Sequence, residues 1–151
     1  MVSLEAELNL LNQVPVLRMI APSARKLLCF GGERLAFEPG ELVFSQGDDS
    51  DAVYIVIEGA VESLAVSAGA PQVPAAPTDP ALEGPLLGQT GVLAALPRVA
   101  SAVAITRVQA LRIPREMFLA VLRDHPEAAM DLINVLSRRL AHGAPARVWT
   151  A

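Results

Sequence analysis

Nucleophilic, acid–base or metal chemistry in this chain would have to be built from two histidines, His125 and His142, and a single cysteine, Cys29. Neither histidine lies in a metal-ligand spacing such as His-x-His or close in sequence to the cysteine, and no nucleophile–base pair can be named. The chain therefore reads as a non-enzyme, with no catalytic residue, no metal ligand and no cofactor. His125, next to Pro126, reads as the residue that leads into a helix. Cys29 reads as a small buried residue. Alone it cannot close an internal disulfide, which suits a reducing compartment, and the expected location is cytoplasmic.

The 151 residues are 52% hydrophobic and 19% charged, which fits one globular domain with a real core. A formal charge of −4 and a pI near 5.1 leave no basic excess to neutralise a phosphate backbone. Lysine and arginine are scattered, with Arg25-Lys26 and Arg138-Arg139 as the basic pairs. Nucleic acid is therefore not an expected direct partner. The opening Met1-Val2-Ser3-Leu4-Glu5 carries an acid where a signal peptide would carry bases. Pro, Gly, Gln or charge interrupts every apolar window before it reaches the roughly 20 residues of a membrane span. The mean hydropathy of +0.41 thus reflects an alanine- and leucine-rich core.

The elements that would position any site follow from periodicity. Leu4, Leu8 and Leu11 recur at helical spacing behind Ser3, an N-cap candidate, and the pattern stops before Pro15. A second helix is predicted from Pro22-Ser23 through Leu27 and Leu28 to Gly31-Gly32, with a left-handed glycine cap. From Glu33 the period shortens. Strands are predicted at Arg34–Phe37, Leu42–Phe44, Val53–Ile57 and Ala60–Leu64, separated by turns at Glu38-Pro39-Gly40, Gln46–Asp49 and Glu58-Gly59.

Residues 67–85 contain five prolines and five alanines and are expected to form a loop, with no regular ladder. Ala102–Ile105 and Val108–Ile113 resume strand character. Glu116, Phe118, Val121 and Leu122 mark a short helix, and a longer one runs from Pro126 to Ala141 with Ala129, Leu132, Ile133, Leu136 and Leu140 as its apolar stripe. At 1.5 Å per residue that helix is about 24 Å long, enough to cross the open face of a β-roll or to pair with a copy of itself.

The most specific feature is a register of glycines and alternating side chains: Phe37-x-x-Gly40-Glu41-x-Val43-x-x-x-Gly47-Asp48-x-x-Asp51-x-x-Tyr54-x-Val56-x-x-Gly59-x-Val61. The glycines read as turn-makers, since only glycine takes positive φ without strain. Over about residues 10 to 141 the chain resembles the cyclic-nucleotide-binding domain family. Catabolite-activator-type regulators, cyclic-nucleotide-dependent kinases and cyclic-nucleotide-gated channels share that sensor.

The resemblance implies a phosphate-binding cassette, a glycine-acid turn opening a short helix, followed by an arginine and small residues. The matching stretch is Leu87-Gly88-Gln89-Thr90-Gly91-Val92-Leu93, then Pro97-Arg98-Val99-Ala100-Ser101. Gly88, Gln89, Thr90, Arg98, Val99 and Ala100 are the implied ligand-binding residues. A cyclic phosphate carries one negative charge, a helix N-terminus offers unpaired N–H groups, and the Arg98 guanidinium supplies a fork of donors. Two positions depart from the family pattern. Gln89 stands where a glutamate usually accepts from the ribose 2′-hydroxyl, and a neutral amide there is weaker by about 1 kcal/mol. Val99 stands where serine, threonine or alanine is preferred, and brings a branched side chain toward the phosphate space.

The expected fold is α+β and mainly β: an eight-strand-like antiparallel β-roll, similar to a jelly roll, flanked by N-terminal and C-terminal helices. A single domain spans 1–151, with helices in 1–32, the roll in 33–113, the cassette at 87–101 and helices in 114–141. The resemblance implies a regulatory sensor of cyclic AMP or cyclic GMP in which ligand moves the hinge before the last helix. The alternative is a ligand-free β-roll that serves as a protein-interaction module. Catabolite-activator relatives carry a helix-turn-helix domain beyond the last helix. Ten residues follow Ala141, too few for one, so direct DNA binding would need another polypeptide. The expected partners are a cyclic nucleotide and either a second copy, through the C-terminal helix, or an unidentified protein.

Overall fold

The computed structural model describes residues 4–65, 73–74, 85–142 and 148–150. Helix α1 (Leu4–Leu11) stops before Pro15, which opens a 3-10 turn, Pro15–Met19, that buries Val16 and Leu17. Ser3, the expected cap, lies outside the described residues. Helix α2 (Pro22–Gly31) begins on a proline whose missing N–H has no partner to lose in a first turn. Its end differs from the expected left-handed cap, because Gly32 is extended at φ −76° and ψ 159°. Glycine is needed there for space. A Cβ on Gly32 would lie 2.6 Å from Leu111 Cδ1 and 2.9 Å from the Leu28 carbonyl oxygen.

Among the described residues nine strands form two antiparallel sheets, the β-roll that the family resemblance implies. The first sheet runs β1 (Glu33–Phe37), β8 (Val108–Pro114), β3 (Ala52–Glu58), β6 (Leu86–Leu87). The second runs β2 (Leu42–Phe44), β7 (Ser101–Ala104), β4 (Ala60–Ala65), with β5 (Val73–Pro74) and β9 (Val148–Thr150) both paired to β4. Ile105, expected inside a strand, falls just past β7 and bonds through its N–H to the Ala60 carbonyl at 2.9 Å. The stretch read as a loop without a ladder contains β5, paired to Leu64 and Ala65 at a sheet edge where proline is tolerated. Pro85 is also described, and its carbonyl accepts from the Val56 N–H at 3.0 Å. The other residues of that stretch lie outside the described residues. Gly40, Gly47 and Gly59 all take positive φ at their turns.

Strand alternation sorts the core into two clusters. Val53 and Ile55 of β3, Leu86 of β6, and Leu111 and Ile113 of β8 face the helices, where they pack with Leu11, Val14, Leu17, Ile20, Leu28 and Phe118. Fully burying each such side chain contributes about 1.5–3 kcal/mol. The alternate residues Ala52, Tyr54, Val56, Leu87, Val108 and Ala110 face into the roll and meet Val43, Val61, Ala102 and Ala104 from the second sheet. The first sheet is therefore a wall with a helical core on one side and a cup on the other.

β8 ends at Pro114, directly before α4 (Arg115–Asp124), and His125 separates α4 from α5 (Pro126–His142). The His125 Nδ1–H donates to the Val121 carbonyl at 2.9 Å, and Nε2 accepts from the Ala21 N–H at 3.3 Å. His125 thus leads into a helix, as read, and also ties that junction to the start of α2. Helix α5 packs chiefly on the 3-10 turn and on α4, so it does not lie across the open face of the roll. Leu11, Val14, Leu17 and Ile20 supply the apolar complement that draws it there. Its buried stripe runs through Ala128, Leu132 and Val135, with Ala129 and Leu136 at the margin. Ile133, expected on that stripe, is exposed beside Met130. The side chain of Leu140 lies outside the described residues. No helix of the described residues is long and apolar enough to cross a membrane.

Candidate functional site

The site grows from two segments bonded to one another. The turn between β2 and β3 lies against the segment that follows helix α3 (Gln89–Ala94). The Gly47 N–H donates to the Arg98 carbonyl at 2.8 Å, and the Arg98 N–H donates to the Asp48 carbonyl at 2.7 Å. The Gln46 N–H donates to Ser101 Oγ at 2.9 Å, and Ser50 Oγ donates to the Leu96 carbonyl at 2.6 Å. Gly91 makes room for that last contact, since a Cβ there would overlap Ser50 Oγ. The backbone of Arg98 is thereby fixed, and its side chain is aimed into the roll.

Arg98 is only 3% exposed. Its Nη1 donates to the Gly88 carbonyl at 3.0 Å and its Nη2 to the Ala52 carbonyl at 2.5 Å. The guanidinium lies over the Phe44 ring, 4.0 Å from the centroid, with Tyr54 at 5.9 Å. Stacking of this kind suits the planar, weakly hydrated guanidinium. Asp51 Oδ1 stands 3.7 Å from Nη2. Burial pulls the Arg98 pKa below the usual guanidinium value, while Tyr54, Asp51 and Asp48 oppose that pull. Arginine stays charged regardless. The buried Nε–H has no hydrogen-bond partner among the described residues. A buried unpaired donor costs about 1–3 kcal/mol, so this N–H is the unspent part of the fork.

Gly88 opens α3 at φ +88°, and a Cβ on it would lie 2.6 Å from Arg98 Nη1. Position 88 thus needs glycine for both its backbone angle and the close approach of the guanidinium. Of the residues implied by the resemblance, Gly88 touches Arg98, Gln89 is buried at the start of α3, Thr90 is half-buried in its first turn, and Ala100 is buried beside β7. Val99 is 55% exposed and does not join the buried residues around the guanidinium.

Side-chain types alone left several partners unremarked. Phe44 and Tyr54 form the aromatic floor, with centroids 5.8 Å apart. Asp51 Oδ2 accepts from Arg112 Nη2 at 3.0 Å, which brings a second guanidinium to the same end of the roll. Burial lowers the Arg112 pKa, but the bonds to Asp51 and Tyr54 outweigh it and hold that cation above its usual value. The Asp51 carbonyl accepts from the Arg115 N–H at 2.9 Å, where α4 starts. Cys29 is buried elsewhere, in the helical core, and no cluster of described residues could hold a metal.

Residues 34–125 match the family model described as the cyclic nucleotide-binding domain. The chain belongs to the cyclic nucleotide-binding domain family. It is 29% identical over 142 residues to the CRP-like cAMP-activated global transcriptional regulator of Mycobacterium tuberculosis, an alignment that covers 87% of this chain and 58% of the relative. It is 32% identical over 126 residues to the cyclic AMP receptor protein of Thermus thermophilus, with 83% and 57% covered. The chain thus spans just under three-fifths of the length of these curated relatives. The sensor domain of the transcriptional regulator DNR from Pseudomonas aeruginosa shares the fold at a TM-score of 0.78 and 23% identity, covering 91% of this chain and 90% of that one. Cyclic nucleotide-binding domains are regulatory and normally non-catalytic, and this chain is such a sensor-type domain.

Proposed function

We propose that this cyclic nucleotide-binding domain senses cyclic AMP or cyclic GMP in the cup, through Gly88, Gln89, Thr90, Arg98 and Ala100, with Val99 at its exposed edge, as a cytoplasmic, non-catalytic signalling module. The observation that carries the reading is the buried Arg98 guanidinium, held against the Gly88 turn with its Nε–H unpartnered. Such a donor suits the single negative charge of a cyclic phosphate. Gln89 gives a neutral acceptor where a charged one is usual in the family, so the expected affinity is several-fold below that of a glutamate-bearing site. The output surface is the outer face of α5, where Met130 and Ile133 stand exposed, and its partner is a second copy.

The test is calorimetric titration of the whole chain with each nucleotide, beside Arg98→Lys, which keeps the charge but loses the fork. Saturable binding of either nucleotide, weakened at least tenfold by the lysine, supports the reading. Flat titrations with both overturn it. They would favour a ligand-free interaction module, which the carbonyl partners already on Arg98 Nη1 and Nη2 would then explain as purely structural bonds.

A further inference from the structure

Arg112 is the second cation of this cup. It stands on β8 directly across from Tyr54 of β3, on the same alternation as Val108 and Ala110, which face into the roll. Its side chain is 23% exposed, whereas the Asp51 side chain that it holds is 61% exposed. The two oxygens of Asp51 are shared unequally: Oδ2 takes a hydrogen bond from Arg112 Nη2 at 3.0 Å, and Oδ1 remains 3.7 Å from Arg98 Nη2. Among the described residues these two guanidiniums are the only ion-pair partners of that carboxylate.

A carboxylate this close to Arg98 competes with any incoming anion for the same charge. Arg98 is buried, so a counter-charge at hydrogen-bond distance would act on it through a less polar medium than water and with greater effect. The short bond to Arg112 holds Asp51 back from that distance. Resting on the sensor reading above, we propose that Arg112 is a positioning residue of the ligand site: it retains Asp51 and so leaves the Arg98 charge available to a bound anion.

The experiment uses the full chain with Arg112→Leu, Arg112→Lys and the double variant Arg112→Leu with Asp51→Asn. In titrations with cyclic AMP and cyclic GMP, the leucine variant is expected to bind about fivefold more weakly, the scale of one partly exposed ion pair. Lysine should retain most of the affinity, and adding Asp51→Asn to the leucine variant should restore it. A ligand-free measurement runs alongside. In protein labelled with 15N-arginine, the Arg98 Nε–H resonance should move in Arg112→Leu and return toward its original position once Asp51→Asn is added. An Arg98 resonance unmoved by Arg112→Leu, or one that Asp51→Asn fails to bring back, overturns the proposal, as does a leucine variant that binds as tightly as the original chain. If the resonance moves and returns as expected while the original chain binds neither nucleotide, the sensor reading falls and the partition of Asp51 between the two cations stands.

Discussion

Removing a guanidinium from water costs several kcal/mol, which has to be offset by partners, and Arg98 finds them in two carbonyl oxygens and the face of Phe44. Those partners are fixed by the fold, so truncation strands them. Arg98→Met is expected to destabilise the domain by about 3 kcal/mol, since it leaves the Gly88 and Ala52 carbonyls unpaired, and urea unfolding measures it. A milder test sits nearby. Ala95, the residue that ends α3, is held at φ 54° and ψ 44°, a left-handed conformation that costs an L-residue about 1 kcal/mol. Ala95→Gly should raise the unfolding free energy by about 0.5 kcal/mol, in contrast to the usual loss at a helical alanine. Cys29 supplies a pH dependence. Burial, reinforced by the Glu7 carboxylate and opposed by Arg34, pushes its thiol above the ordinary 9.0. A pKa raised in the native state means that the neutral thiol is the form the fold favours. That stability is fully present below the ordinary value and is lost as the pH rises through the native one. Unfolding free energy measured above pH 9.0 should therefore fall more steeply in the original chain than in Cys29→Ala.

The turn from Ser45 to Asp51 and the segment from Leu96 to Ser101 behave as one piece, bonded through backbone and side chain alike. Ser50→Ala removes the bond to the Leu96 carbonyl and opens space beside Gly91. Amide exchange across Gln89–Ala94 should speed up about tenfold in that variant, at a cost of about 1–2 kcal/mol locally, while the amides of β3 and β8 keep their protection. The longer strands were legible because alternation and positive-φ glycines coincide at their ends. Residue pairs such as Leu86–Leu87 and Val73–Pro74 carry no period, so β5 and β6 were invisible as strands. The inward stripe of α5 was displaced for a related reason. Ala128 and Val135 fit a helical face as well as Ile133 does, and only the 3-10 turn beneath decides between them. At the site, register pointed to Arg98, but its direct oxygen partners are main-chain atoms, which residue type does not disclose. Asp51 and Tyr54 fall within the glycine register, whose spacing does not disclose what their side chains touch. Arg112 sits in a strand where a polar residue reads as solvent-facing, and its contact with Asp51 exists only in three dimensions.

The N-terminal helices and the C-terminal helix pair meet on one side of the first sheet. Helix α5 packs on the 3-10 turn, and His125 bonds the junction between α4 and α5 to the N–H of Ala21. The side of α5 turned away from this packing carries Met130 and Ile133, which no element of the described residues covers. With a second copy as the proposed partner, Met130→Glu together with Ile133→Glu should convert a sedimenting dimer into a monomer. Thermal unfolding of the double variant, compared at low concentration, should shift by no more than a few degrees, because neither side chain is part of the core. One contact at the start of α4 has a practical use. Asp51 presents its carboxylate to both guanidiniums and its main-chain oxygen to the Arg115 N–H, so a displacement of this aspartate stretches or shortens a backbone bond outside the cup. If the proposed nucleotide displaces Asp51, the Arg115 amide proton will report it by chemical shift, without a dye or a tag.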